Sequence, residues 1–105
     1  MFLRDGERCW FVSLRDIRSL TVDSNYTRVC FGNESALLAH SLSALEARLD
    51  PALFIRANRS TLVNIKAITD IDPWVNDGYR LRLDEASEIE VSRRQARELR
   101  ERTAL

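Results

Sequence analysis

Between Trp10 and Val91 the chain repeatedly shows short runs with apolar residues at every second position, each closed by turn-forming residues. Side chains of a strand alternate between two faces, so this pattern confines most of the chain to short antiparallel strands with one buried face. Trp10, Val12 and Leu14 alternate with Phe11 and Ser13 before Arg15 and Asp16 break the run. Ile17 to Val22 forms a second strand, closed by Asp23, Ser24 and Asn25, and Thr27, Val29 and Phe31 share one face of a third. Gly32 and Asn33 make a two-residue hairpin connection into Glu34 to Ala39, so a four-strand meander is expected by residue 40.

Two short helices interrupt the strands. Ser41 is placed to cap one whose Leu42, Leu45 and Leu49 form a single stripe, Ser43 with Glu46 offers a second capping box, and Asp50 with Pro51 ends it. Near the end, Ser92 and Gln95 form an S-x-x-Q box ahead of a stripe of Ala96, Leu99 and Thr103. Ile68 to Trp74 reads as a strand that Pro73 confines to a sheet edge. Asn76 to Gly78 then turn the chain into Tyr79, Leu81 and Leu83, and a loop at Asp84 to Ser87 returns it through Ile89 and Val91, giving a three-stranded unit. Arg56 to Lys66 follows neither period and reads as a functional loop or one irregular turn.

At 105 residues the chain is one domain, 1–105, and its 45% apolar content supplies a core without help from metals or disulfides. Sixteen bases and sixteen acids cancel, which excludes a histone-like polyanion binder. The signs are segregated, however. Every base but Lys66 is Arg, the residue suited to bidentate contact with phosphate and guanine, and Val91 to Arg102 holds five Arg against two Glu.

Cys9 and Cys30 read as small buried or half-buried thiols in a reducing compartment, and nothing resembles a leader or a membrane span, so a soluble cytoplasmic domain is expected. His40 is the only histidine and reads as a half-exposed boundary residue. With no second His and no glycine-rich phosphate loop among three glycines, neither catalysis, a metal nor a cofactor is expected. Trp10 and Trp74 read as core or edge anchors, and Asn64, flanked by Val63 and Ile65, as a structural side chain tied to backbone.

The stretch Phe54, Arg56, Arg59, Ser60, Leu62, Val63, Asn64 and Ile68, with Ile89, Val91, Ser92, Arg93 and Arg94, resembles the LytTR family. This is the bacterial DNA-binding domain at the C-terminus of LytR, AlgR and AgrA-type response regulators of two-component systems. The front half is similar too, through Ile17, Leu20, Asn25, Tyr26, Val29, Ser41, Leu42, Leu45 and Glu46, so the likeness runs from about Phe11 to Leu99. Departures are Glu85 and Ala86, where the family usually turns through D-G or N-G, and Asn58, where many members carry histidine.

The resemblance implies a mainly β fold of elongated antiparallel sheets with two short helices. It also implies a sequence-specific binder of double-stranded DNA that sets loops into successive major grooves and acts as the output domain of a transcription regulator. Its base-reading positions carry over to Thr27, Arg28, Arg59 and Arg94, the two last having the fork that matches guanine O6 and N7. Asn25, Arg56, Asn58, Ser60, Ser92, Arg93 and Arg97 are assigned to phosphate, aided by the free N–H groups at the last helix's start. Family members usually carry an N-terminal receiver domain, so the chain reads as an excised output domain or a short regulator. No heptad run provides a dimer element, which predicts a monomer that pairs on repeated DNA half-sites. The competing reading is a protein-interaction β module whose Arg loops grip an acidic partner.

Overall fold

The computed structural model describes residues 1–84 and 87–103, with no side-chain description at 103. The turn at Glu85 and Ala86, and Thr103 as a member of the helical stripe, therefore lie outside the described residues. Among the described residues ten strands, two helices and three short 3-10 turns follow one another in a body of 43 × 25 × 24 Å, elongated as expected.

β1 (Phe2–Asp5) and β2 (Arg8–Phe11) form a hairpin turned at Gly6, whose φ of 62° suits glycine. The five-stranded sheet is built from β3 (Ile17–Asp23), β4 (Tyr26–Phe31), β5 (Glu34–Leu38), β6 (Phe54–Asn58) and β7 (Thr61–Asn64), in the order β5-β4-β3-β7-β6. β8 (Asp70–Pro73), β9 (Tyr79–Arg82) and β10 (Glu88–Val91) make the three-stranded sheet with β9 central, so Pro73 does lie on an edge strand. All pairs are antiparallel.

Two cores result. The first packs Leu20, Val29 and Ala36, cross-strand neighbours on one sheet face, against Leu42, Leu45 and Leu49 around α1 (Leu42–Glu46), with Leu3 from the hairpin. Ser41 caps α1 as expected, its Oγ accepting the Ala44 N–H at 3.1 Å. The second core joins Ile55, Ala57 and Val63 to Leu81, Leu83 and Val91 and to Ala96 and Leu99 of α2 (Arg93–Thr103). Gly78 is required where the second sheet folds back, because a Cβ there would meet the Val91 carbonyl oxygen at 2.5 Å.

Two expectations are corrected. The strand through Trp10, Val12 and Leu14 stops at Phe11, because Ser13 caps a 3-10 turn at Leu14–Asp16, its Oγ accepting the Arg15 N–H. A strand precedes it at Phe2–Asp5, so five strands lie before residue 40. Arg56 to Lys66 is no loop. It holds most of a tight hairpin, β6 to β7, connected by Arg59 and Ser60 alone. These strands separate the two cores, with Phe54 and Leu62 facing one and Ile55, Ala57 and Val63 the other. A strand buried on both faces has no polar phase, so the period of two vanishes.

Glu34 fastens the β1–β2 hairpin to β5 by accepting from Arg8 Nη2 at 2.7 Å and Trp10 Nε1 at 2.6 Å. The Arg8 bond first, then the Trp10 bond, holds its carboxyl below the usual carboxylate range, so this fastening is lost as acid protonates it.

Candidate nucleic-acid interface

Three connections from different parts of the fold meet around the Arg59–Ser60 turn. The Ser60 carbonyl accepts the Val22 N–H at 2.9 Å, which places the turn beside the β3–β4 connection at Ser24 and Asn25. On the other side, the Ser92 N–H donates to the Ala57 carbonyl at 3.2 Å and Asn58 Nδ2 donates to the Glu90 carbonyl at 2.8 Å, which joins the turn to the start of α2. Within the turn Asn58 Oδ1 accepts the Ser60 N–H at 2.9 Å, an Asx turn. Arg56 braces it from behind, donating to the Arg59 carbonyl at 2.8 Å while paired with Glu46 at 2.7 Å.

The charges here are unusual for a helix start. Ser92 Oγ accepts the Gln95 N–H at 3.3 Å, but the first turn of α2 has no acid and instead presents Arg93 and Arg94, with Arg97 one turn on. Cations beside the positive end of the helix dipole destabilise it, and a bound anion would relieve them. Arg8, Arg18, Arg28, Arg56, Arg80 and Arg82 all sit in ion pairs, whereas Arg59, Arg93, Arg94 and Arg97 are exposed and make none among the described residues, as is also true of Arg4, Arg15, Arg48, Lys66, Arg100 and Arg102 elsewhere on the surface. What sets the four apart is their grouping, on two connections joined by hydrogen bonds. Among the described residues no group of His, Cys, Asp or Glu is arranged to hold a metal.

The match to a family model settles what kind of domain this is: the LytTr DNA-binding domain model covers residues 7–104. The chain belongs to that family. Similar proteins include the sensory transduction protein LytT of Bacillus subtilis strain 168, 34% identical over 95 residues, 90% of this chain and 39% of the relative. The transcriptional regulatory protein YpdB of Escherichia coli K12 is 32% identical over 96 residues, again 90% of this chain and 39% of the relative. This LytTr domain therefore spans about two-fifths of the length of such relatives. The same fold occurs in the solved LytTr DNA-binding domain of a putative methyl-accepting/DNA response regulator from Bacillus cereus. The TM-score is 0.89 at 24% identity, over 100% of this chain and 96% of the other. No described helix is long and apolar enough to cross a membrane.

Within this LytTr domain four of the assigned site residues stand differently from expectation. Thr27 is 1% exposed and its Oγ1 donates to the His40 carbonyl at 2.8 Å, so it presents no atom to a DNA groove. Arg28 lies on the open face of the sheet, held by Asp23 at 3.1 Å and Ser35 at 3.0 Å. Both terminal nitrogens of the Arg56 guanidinium and both ends of the Asn58 amide are engaged by the bonds already described, and the two residues support the turn from within. Asn25, Ser60 and Arg59 are exposed, as are Ser92, Arg93, Arg94 and Arg97, although Ser92 also caps α2. The reciprocal half of the expected capping box does not form. Instead the Gln95 amide, oriented to suit its partners, donates to the Arg56 carbonyl at 2.9 Å and to Glu98 at 3.1 Å.

The position of Thr27 yields a prediction. Thr27→Val should lower stability by about 1 kcal/mol through the lost hydrogen bond and leave duplex sequence preference unchanged. A thermal melt beside a duplex titration checks both, and a shifted base preference would restore Thr27 to the interface.

One neighbour of the interface had no signal in the sequence. Trp74, Val75 and Asn76 line a recess of about 370 Å³ with Asn58, Glu90, Ser92 and Arg93, and Arg80 stacks 3.7 Å over the Trp74 ring. Trp74 is thus an edge anchor as expected, held by a cation from β9 that no local pattern announces.

Proposed function

We propose that the chain is the sequence-reading output domain of a bacterial transcription regulator, placing its turns in successive major grooves of double-stranded DNA. Arg59 and Arg94 read base edges by bidentate bonds, and Arg93, Arg97, Ser60, Ser92 and Asn25 hold phosphates. The observation that carries this reading is the set of unpaired arginines at the Arg59 turn and the N-terminal end of α2, two connections joined by hydrogen bonds.

The four arginines of this surface neutralise few phosphates, so one domain binds weakly and two copies on repeated half-sites supply usable affinity. The protein is a monomer off DNA, works in the cytoplasm, and in a longer protein receives its signal from an N-terminal receiver domain. It performs no catalysis.

The test is selection of retained duplexes from a random library, followed by titration of the winning site in single and paired form over a range of salt. A repeated motif and tighter binding to the paired site are expected. Arg93→Ala or Arg97→Ala should weaken all duplexes alike and make the salt slope shallower by about one unit each. Retention without sequence enrichment, matched by equal binding to an acidic polypeptide, would replace DNA reading with a protein-binding role.

A further inference from the structure

We propose that Asn58 is a positioning residue, a single side chain that fixes the Arg59 turn against the start of α2 so that Arg59 is held in one geometry relative to the arginines of that helix. This rests on the DNA-reading proposal above. Asn58 precedes Arg59 and is half-buried, and its amide works at both ends. Oδ1 accepts the Ser60 N–H at 2.9 Å, closing the turn, while Nδ2 donates to the Glu90 carbonyl at 2.8 Å, 32 residues away in the other sheet. Glu90 is two residues before Ser92, whose own N–H reaches the Ala57 carbonyl at 3.2 Å. One side-chain bond and one main-chain bond therefore join β6 to β10 at the point where each leads into its exposed arginines.

The chain is also irregular there, since the β6–β7 register shifts between Arg56 and Asn58. A bulge re-aims the residues that follow it and interrupts the ladder, so the turn cannot take its direction from strand pairing alone. The joint needs an acceptor and a donor on one short side chain. Aspartate would set a carboxylate oxygen against the Glu90 carbonyl, and serine would close the turn but fall short of Glu90. Asparagine meets both demands.

A fork aimed at two atoms of a guanine tolerates little freedom, and a loop ordered only on binding loses affinity to that ordering. Asn58 is not among the groups that touch DNA in the proposed interface. Its effect is on how well Arg59 is aimed.

The experiment compares the intact chain with Asn58→Ala, which removes both bonds, and Asn58→Ser, which keeps the turn acceptor and removes the link to Glu90. Each is titrated with the selected duplex and with duplexes altered at single positions, and amide hydrogen exchange is followed without DNA. Both variants should lose about tenfold in affinity for the selected duplex, within the range of one bidentate base contact. The loss should fall on discrimination at the Arg59 position, with discrimination at the Arg94 position and the salt slope preserved. Arg59→Ala should cost less in the Asn58→Ala background than alone. Exchange at Ser92 should quicken in both variants, and at Ser60 only in Asn58→Ala.

Unchanged discrimination in Asn58→Ala would overturn the proposal, as would Asn58→Ser binding like the intact chain, because the turn alone would then suffice. If the intact chain shows no sequence preference, the DNA reading fails separately. The link between β6 and β10 would still stand or fall on the exchange at Ser92.

Discussion

Asn64→Ala is expected to destabilise the fold by about 3 kcal/mol, from three lost hydrogen bonds, one of them to the carbonyl of a buried residue. For a chain of this length that lowers the melting temperature by about 15 °C. Asn64 is 1% exposed. Its Nδ2 donates to the Ile17 carbonyl at 2.9 Å and the Arg15 carbonyl at 3.3 Å, and its Oδ1 accepts the Lys66 N–H at 2.9 Å. One side chain thus joins the end of β7 to the entry into β3 and caps the 3-10 turn Ile65–Ala67. Ile17 is fully buried, so water reaches its carbonyl poorly once the amide is removed. Asn64→Asp should be no milder, because it keeps the Lys66 bond but turns a carboxylate toward two carbonyls. Urea or thermal unfolding measures the loss, and a change below about 1 kcal/mol would mean that solvent replaces the amide without cost.

Strands with one wet face were readable from the chain alone. β3, β4, β5, β9 and β10 fall where alternation put them, the turns at Gly32–Asn33 and Asn76–Gly78 are present, and the caps at Ser41 and Ser92 form, whereas Ser43 lies inside α1 and the second capping box does not form. The missing pieces share physical causes. β1 buries only Leu3 among its four residues, too little for a periodic signal, and its neighbours Arg4 and Asp5 made the segment read as polar. β7 buries all four of its residues, so it has no alternation to read.

In the candidate site the same logic applies to Thr27. It shares a strand face with Val29 and Phe31, both buried, so the period already directed it inward, and the resemblance to a family motif pointed the other way. The exposed arginines at 59, 93, 94 and 97 were legible because polar residues crowd those turns. The supporting roles of Arg56 and Asn58 were not, since their partners lie 10 and 32 residues away and only the packing of α1 and β10 brings them together.

Arg59→Ala and Arg94→Ala are each expected to remove about 1–3 kcal/mol of binding to a preferred duplex, the value of one bidentate base contact. The two arginines stand on connections whose backbones are bonded to the same frame, so each contact forms without rearranging the other and the losses should add. The double variant then loses about 2–6 kcal/mol, against a gap of about 4–10 kcal/mol that usually separates specific from nonspecific binding. Roughly half of the discrimination energy should therefore disappear while a salt-dependent residual affinity, held by Arg93 and Arg97, persists. Competition of the selected duplex against random duplex at fixed salt reads this directly, because the ratio falls while nonspecific binding changes little. Equal weakening on every sequence, with a shallower salt slope, would instead make both residues phosphate anchors. Discrimination would then have to come from the deformability of the duplex, which no side-chain substitution at these turns would flatten at a single base position.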